Sequence, residues 1–488
     1  MEIIPVIFKY FITLLYVGST FFLSYIGMKK TKDLKGFSIG NKDMSPILVG
    51  ITMAASISST ATFVINPGFV YNHGFSAYLH YAVAATLGII TALVTLSKGF
   101  RKLGAEHGSL TIPHWIRHRY GSKMLGLFFA VINLFSIAFI VLILSGCAIL
   151  TSDLFGISET LALAIGLLFT FSYVLMGGTY AHAYTNSLQG ILMILVAIIL
   201  FFSGWEYWQN GFFSEMQNIS DNFASMYNSV PFSKTTPLYY SFFSVFASGF
   251  LISFALMFQP HILTKVLYIK EEKDVNRFLV TTLIVGSIFT LMLFVGFYAR
   301  FEGLEIGRQD RVVNDYIKHI YSSSIGGQCM LAFIAVTLLA AGMSTLDGIL
   351  VSLSAMVVND IYLPLTNKDD GEMSAFGLAL SRYVLIAIGL VAFALAIKPP
   401  LLLGIFAQQG VYGLAAASFV PILMGVLLKR KIPTFIVWLA ATIGVGGHLF
   451  LNLYWGVKNP SVSSSIAMLV SLGITLVLLA ITYQSNKE

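Results

Sequence analysis

The stretch MAASISSTATFVINPGF, residues 53–69, decides how the rest of the chain reads. Five hydroxyl side chains, Ser56, Ser58, Ser59, Thr60 and Thr62, fall within seven residues of a largely apolar run, and Asn66, Pro67 and Gly68 interrupt it further on. A helix of this kind can unwind and present backbone carbonyls to a cation. The same residues also suit close helix packing, with serine and threonine bonding back to their own helix. This segment alone leaves both readings open.

The surroundings are membrane. Of 488 residues 57% are hydrophobic and 10% charged, against a charged share of about 25% in soluble proteins, which excludes a cytosolic enzyme. A membrane-crossing helix needs about 20 mostly apolar residues. The apolar runs, such as 161–176 and 190–204, are unbroken and lack the alternation of a membrane barrel. The expectation is an all-α integral membrane protein in one transmembrane domain. Thirteen helices are predicted near residues 6–28, 47–73, 75–98, 122–151, 157–177, 184–206, 237–262, 278–300, 325–360, 378–397, 401–428, 433–454 and 463–484. Tight turns are placed at Gly74 and at Lys398, Pro399 and Pro400. The first helix has no small-residue cleavage site after it and reads as a retained anchor. Cys147 and Cys329 both sit in apolar runs, so no disulfide framework or thiolate metal site is expected.

Basic residues give the orientation. With the amino end outside, 21 of the 29 lysines and arginines fall on one face, among them Lys29, Lys42, Arg101, Arg119, Lys265, Lys368, Lys429 and Lys487. Lys9, Lys234, Arg300, Arg308 and Lys318 are among those left on the other. The carboxyl end is therefore expected in the cytoplasm, in a cell membrane of bacterial inner-membrane type. The net charge of +7 is a topology signal spread over short loops, and no nucleic-acid partner is expected.

Two further stretches carry polar groups at depth, where they are costly and point to function. In FLISFALMFQPHILTKVL, residues 250–267, Gln259 and Pro260 interrupt an apolar run, and the proline removes a backbone donor. In LLAAGMSTLDGILVSLSAMVVND, residues 338–360, Asp347 stands among small and hydroxyl residues with no basic residue at helical spacing. A cation or a proton would supply its partner, and a protonated carboxyl bonded to Asn186 or Asn133 is the alternative. The second and seventh helices are both broken and lie five spans apart. That spacing fits a five-plus-five inverted repeat, 47–206 and 237–428, with one leading helix (6–28) and two trailing ones (433–484).

The segments AASISSTATFVINPG (54–68), GGTYAHAYTNSLQG (177–190) and AAGMSTLDGILVSLSAMVVNDIY (340–362), in this order, resemble the sodium:solute symporter family, and the resemblance covers essentially the whole chain. It implies the LeuT-like form of that repeat. It also implies Na+ as the coupling ion, held by the carbonyls of Ala55 and Ser58, the carbonyl of Ala341 and the hydroxyls of Ser344 and Thr345. Some relatives hold a second sodium; here that pocket would include Asn186 where an aspartate is usual, and Asp347 where a hydroxyl is usual. One sodium per solute is the default, and a monomer is the default assembly.

For the solute, the FQPHILTK, KPP and IFAQQGVYG segments resemble the pantothenate and short monocarboxylate branch. Ile57 replaces the aspartate of the proline branch, the position near Ile137 lacks the arginine of sialic acid relatives, and the sugar pattern has no match. Proline-like, sugar or sialic acid symport and a symporter-like membrane sensor stand as alternatives. No lysine or arginine is expected at mid-membrane depth, so an anion would rely on Ser59, Thr62, Gln259, broken-helix amides and sodium. Tyr81, Phe258 and Gln408 complete the candidate solute residues, with His80 weighed beside Tyr81. His261 and Lys265 either form an inner gate or face the cytoplasm, and Gln408 and Gln409 either gate a vestibule or close a helix end. The loop 207–236, with Trp208 and Phe212, suits an interfacial segment. Catalysis is not expected: GFSIG, residues 36–40, lacks the strand and helix of a nucleophile elbow, and no H-E-x-x-H motif occurs.

Overall fold

A computed structural model describes residues 3–40, 44–106, 108–228, 238–366, 374–399 and 403–485. Lys42, Lys234, Lys368, Lys487 and Pro400 of the sequence argument, with residues 229–237, lie outside them. The described residues contain helices and no strand. In chain order the elements that build the spans are α1 (Ile3–Lys30), α2 (Pro46–Ile57), α3 (Ala61–His73), α4 (Phe75–Gly104), α5 (Lys123–Phe155), α6 (Glu159–Phe202) and α7 (Phe243–Leu256). They continue with α8 (Pro260–Tyr268), α9 (Asp274–Phe301), α10 (Ile325–Thr366), α11 (Phe376–Ala396), α12 (Leu403–Leu427), α13 (Thr434–Tyr454) and α14 (Pro460–Thr482).

Ten of these are each long and apolar enough to cross a membrane; α2 with α3 and α7 with α8 are so only as pairs, bent by 51° and 61°. Among the described residues up to twelve spans result, one fewer than expected, and the difference lies in α6. The ranges 157–177 and 184–206 join there into a single run of 44 residues. At 1.5 Å per residue that is about 66 Å, roughly twice a bilayer core. Inside it Gly178 leaves helical geometry at φ 49°, ψ −129°, a backbone that glycine tolerates, and the Phe37 ring packs where a Cβ would stand. Counted as two passes meeting at Gly178, α6 accounts for the thirteenth.

The two bends have local causes. Ser58, at φ −96° and ψ 76°, ends α2, and the Ser59 hydroxyl accepts the Ala61 amide at 3.1 Å as α3 begins. At the second bend Gln259 is extended (φ −64°, ψ 144°) because a residue before proline avoids the helical region. The amides of Met257, Phe258 and Gln259 turn to carbonyls three residues back, tightening the end of α7.

Burial separates centre from edge. In α10 and α12 72% and 78% of the apolar window is buried within the protein, against 11% in α1, so α1 is peripheral and exposes apolar side chains such as Leu14 and Phe22. It is fastened to the middle of α6, where Thr31 donates its hydroxyl to the Gly177 carbonyl at 2.7 Å and Gly27 packs against the Ala181 backbone.

Candidate functional site

Between the two bends lies a cavity of about 170 Å³. Its wall is mainly apolar, with polar groups from both broken spans, α4 and α12. Of the expected solute residues, Thr62, Tyr81, Gln259 and Gln408 line it, and Ser59 and Phe258 do not. Ser59 is spent on the Ala61 amide, and Phe258 packs edge-on against Phe254 at 5.7 Å between ring centroids. Sequence reasoning passed over Asn66, Ser253 and Tyr412 in the lining.

The polar wall is partly pre-arranged. Tyr81 receives hydrogen bonds from Gln408 Nε2 at 3.2 Å and from the Tyr239 hydroxyl at 3.0 Å. Gln409 points elsewhere, donating to Asn452 Oδ1 of α13 at 2.9 Å. His80 sits with Nδ1 near the carbonyls of Ser244 and Val245. Gln259 Oε1 and both ring nitrogens of His261 are buried without hydrogen-bond partners among the described residues, and both residues line the cavity. Such groups are costly unless something binds them.

Beside the cavity the end of α2 meets α10. A helix that stops leaves its last carbonyls without in-helix partners, and here α10 meets two of them. The Ser344 hydroxyl lies 3.1 Å from the Ala55 carbonyl and 2.7 Å from the Ala341 carbonyl, and the Thr345 hydroxyl donates to the Ser56 carbonyl at 3.2 Å. Ala55, Ala341, Ser344 and Thr345 are fully buried, and Ser58 follows at the non-helical step that borders the cavity. The structure thus brings four of the five expected ion-ligand residues into one contact group, with Ser58 three residues along the same break. Neutral hydroxyl and carbonyl oxygens are the donors a hard monovalent cation takes.

Asp347 and Asn186 flank this group. Asp347 accepts hydrogen bonds from His182 Nδ1 at 2.8 Å, the Tyr173 hydroxyl at 3.1 Å and the Gly348 amide at 2.7 Å. Asn186 donates to Ser56 Oγ at 2.8 Å and to the Ser344 carbonyl at 3.0 Å. Two sequence expectations are corrected here. Lys265 and His261 do not face water: both are buried. Lys265 Nζ, moreover, lies 2.6 Å from Ser56 Oγ and 2.8 Å from His182 Nε2, a basic group at depth where none was expected. The short turn Thr264–Tyr268 after the bend carries it inward. In the segment after Tyr207, Trp208 stacks on Phe212 at 4.5 Å and donates to the Tyr298 hydroxyl.

The family model for the sodium:solute symporter family matches residues 37–433. The chain is 27% identical over 456 residues to a sodium/pantothenate symporter of Haemophilus influenzae, covering 92% of this chain and 90% of that one. It is 24% identical over 390 residues to the high-affinity proline transporter of Bacillus subtilis, 77% of each. Among solved structures, a Na+-coupled sialic acid symporter in a substrate-bound outward-open state aligns with a TM-score of 0.75 at 17% identity, over 96% of this chain and 97% of that one. A nucleobase-cation-symport-1 family transporter follows with a TM-score of 0.53 at 13% identity over 91% and 95%. These two likenesses extend the fold. Two broken spans border one cavity, and the family match over residues 37–433 runs through both of them and through α10: the chain belongs to the sodium:solute symporter family.

Proposed function

We propose that the chain imports a small organic anion, of pantothenate or short monocarboxylate type, together with sodium by alternating access. The observation that carries this reading is the meeting of the Ala55 carbonyl with the Ser344 hydroxyl beside the cavity. Sodium joins the carbonyls of Ala55, Ser58 and Ala341 to the hydroxyls of Ser344 and Thr345, tying α2 to α10. Each hydroxyl has lone pairs to offer once its proton rotates away. That tie orders the break at Ser58, and with it the cavity wall at Thr62. The solute is held by Thr62, Tyr81, Gln259 and Gln408, with Ser59 and Phe258 supporting the wall from behind, and its charge is met by the amino-terminal ends of α3 and α8.

Sodium and solute bias the same equilibrium, each only by its preference for one state. Halves 47–206 and 237–428 rock about the site, while α1 and the two trailing helices frame them. The amino end is outside and the carboxyl end cytoplasmic, and one chain is the working unit. The pantothenate symporter among its relatives supports the solute class. Uptake into proteoliposomes of pantothenate, pyruvate, lactate, acetate, proline, a sugar and sialic acid tests the reading. Accumulation of one of the first four only under an inward sodium gradient is expected; equal uptake with potassium would reject it.

A further inference from the structure

A lone carboxylate is expensive to bury, and Asp347 is fully buried two residues from Thr345. The structure supplies its countercharge from a different span. His182 presents Nδ1 to Asp347 at 2.8 Å and Nε2 to Lys265 Nζ at 2.8 Å. With the proton on Nδ1, the imidazole donates to the carboxylate and accepts from the ammonium, so one tautomer serves both. Lys265 adds a bond to Ser56 Oγ at 2.6 Å, and Asn186 Nδ2 approaches the same oxygen at 2.8 Å. Among the described residues the other ionisable groups facing this chain are Tyr173, which donates to Asp347, Tyr16 near both of these, and His261 beside Lys265.

We propose that the Lys265 ammonium is the resident cation of this pocket, standing where a second metal ion would otherwise neutralise Asp347, so that each cycle carries a single sodium. Three features of the fold hold it there. The 61° bend at Pro260 and the tight turn Thr264–Tyr268 point Lys265 inward. Gly348, next to Asp347, leaves room for the imidazole, since a Cβ would stand 2.9 Å from His182 Cε1. Ser56, in the last turn of α2, offers its side chain to Lys265 while its carbonyl meets Thr345. The resident charge therefore touches the sodium site through Ser56, and couples α8, α6 and α10 to it. This inference rests on the sodium reading proposed above.

Equilibrium binding of ²²Na+ to the purified full chain separates the two. The wild type is expected to hold one sodium per chain with a Hill coefficient near one. Lys265→Ala is expected to hold twice as much at saturation with a Hill coefficient above one, and Lys265→Ala with Asp347→Asn to return to one. Two ions in the wild type, or one in Lys265→Ala, would overturn the resident-cation proposal while leaving sodium coupling intact. No saturable sodium in the wild type would remove both. Should Lys265→Ala fail to fold, the charge-balanced double variant decides: recovery of folded chain holding one sodium supports the proposal, and a double variant as unstable as the single one overturns it.

Discussion

Ser344 of α10 reaches the Ala55 carbonyl of α2 across 3.1 Å, at the point where α2 has run out of helix. The contact joins the element that breaks to the element that stays whole. An ion placed at this junction would sense whether the two are together, which is what coupling requires.

Removing the hydroxyls at this junction should weaken sodium activation much more than maximal transport. For Ser344→Ala and Thr345→Ala, losing a ligand of the order of one hydrogen bond to a charged group, about 1.5–3 kcal/mol, predicts a half-saturating sodium concentration raised at least about tenfold. Sodium titration of uptake measures it, and unchanged sodium dependence in both variants would count against the assignment.

On the solute side, Gln259 carries a buried side-chain carbonyl at the cavity wall that has no partner among the described residues. Gln259→Leu keeps much of the volume and removes the polar group. The expected result is a rise in solute KM of about tenfold, the equivalent of roughly 1.4 kcal/mol, with the sodium requirement preserved. Phe258→Leu, outside the lining, should change KM far less. Equal effects from the two would show that the cavity is not the solute site.

Crowding at Asp347 gives a stability test. A methyl added in Gly348→Ala would lie 2.9 Å from the His182 ring, whereas Gly307 has open space around it. Overpacking of this kind costs about 1–3 kcal/mol, so Gly348→Ala should lower the thermal unfolding midpoint in detergent while Gly307→Ala leaves it unmoved. Equal midpoints for both would contradict the packing described here.

Topology is checked with cysteines. Cys147 is buried and Cys329 partly so, which makes Cys329→Ser a usable background for labelling. Lys429→Cys should react with an impermeant maleimide only from the cytoplasmic side, and Glu305→Cys only from outside; both positions are exposed. The reverse pattern would invert the orientation.

Much of this was legible in the sequence, for a physical reason: hydroxyls, a proline and an aspartate stand out against apolar runs. Asp347, Pro260 and the cluster from Ser56 to Thr62 announce themselves this way. What faces the cavity was less legible. Helical periodicity is lost at Ser58 and Gln259, so spacing could not separate Thr62, which lines the cavity, from Ser59, which does not. Lys265 was hidden further. A lysine five residues past a proline break reads as a helix leaving the membrane, and only the turn after the bend brings it to His182. The break in α6 was legible as well: the expected helices 157–177 and 184–206 lie on either side of Gly178, whose non-helical backbone separates two helical segments.

Coupling is reciprocal, so a solute gradient must drive sodium. The most direct measurement is ²²Na+ influx into proteoliposomes with sodium equal on both sides, driven by an inward gradient of pantothenate or of whichever compound the uptake panel identifies. The account predicts transient ²²Na+ accumulation that vanishes in the Ser344→Ala, Thr345→Ala double variant. Solute entry by the wild type with no accompanying ²²Na+ movement would contradict it.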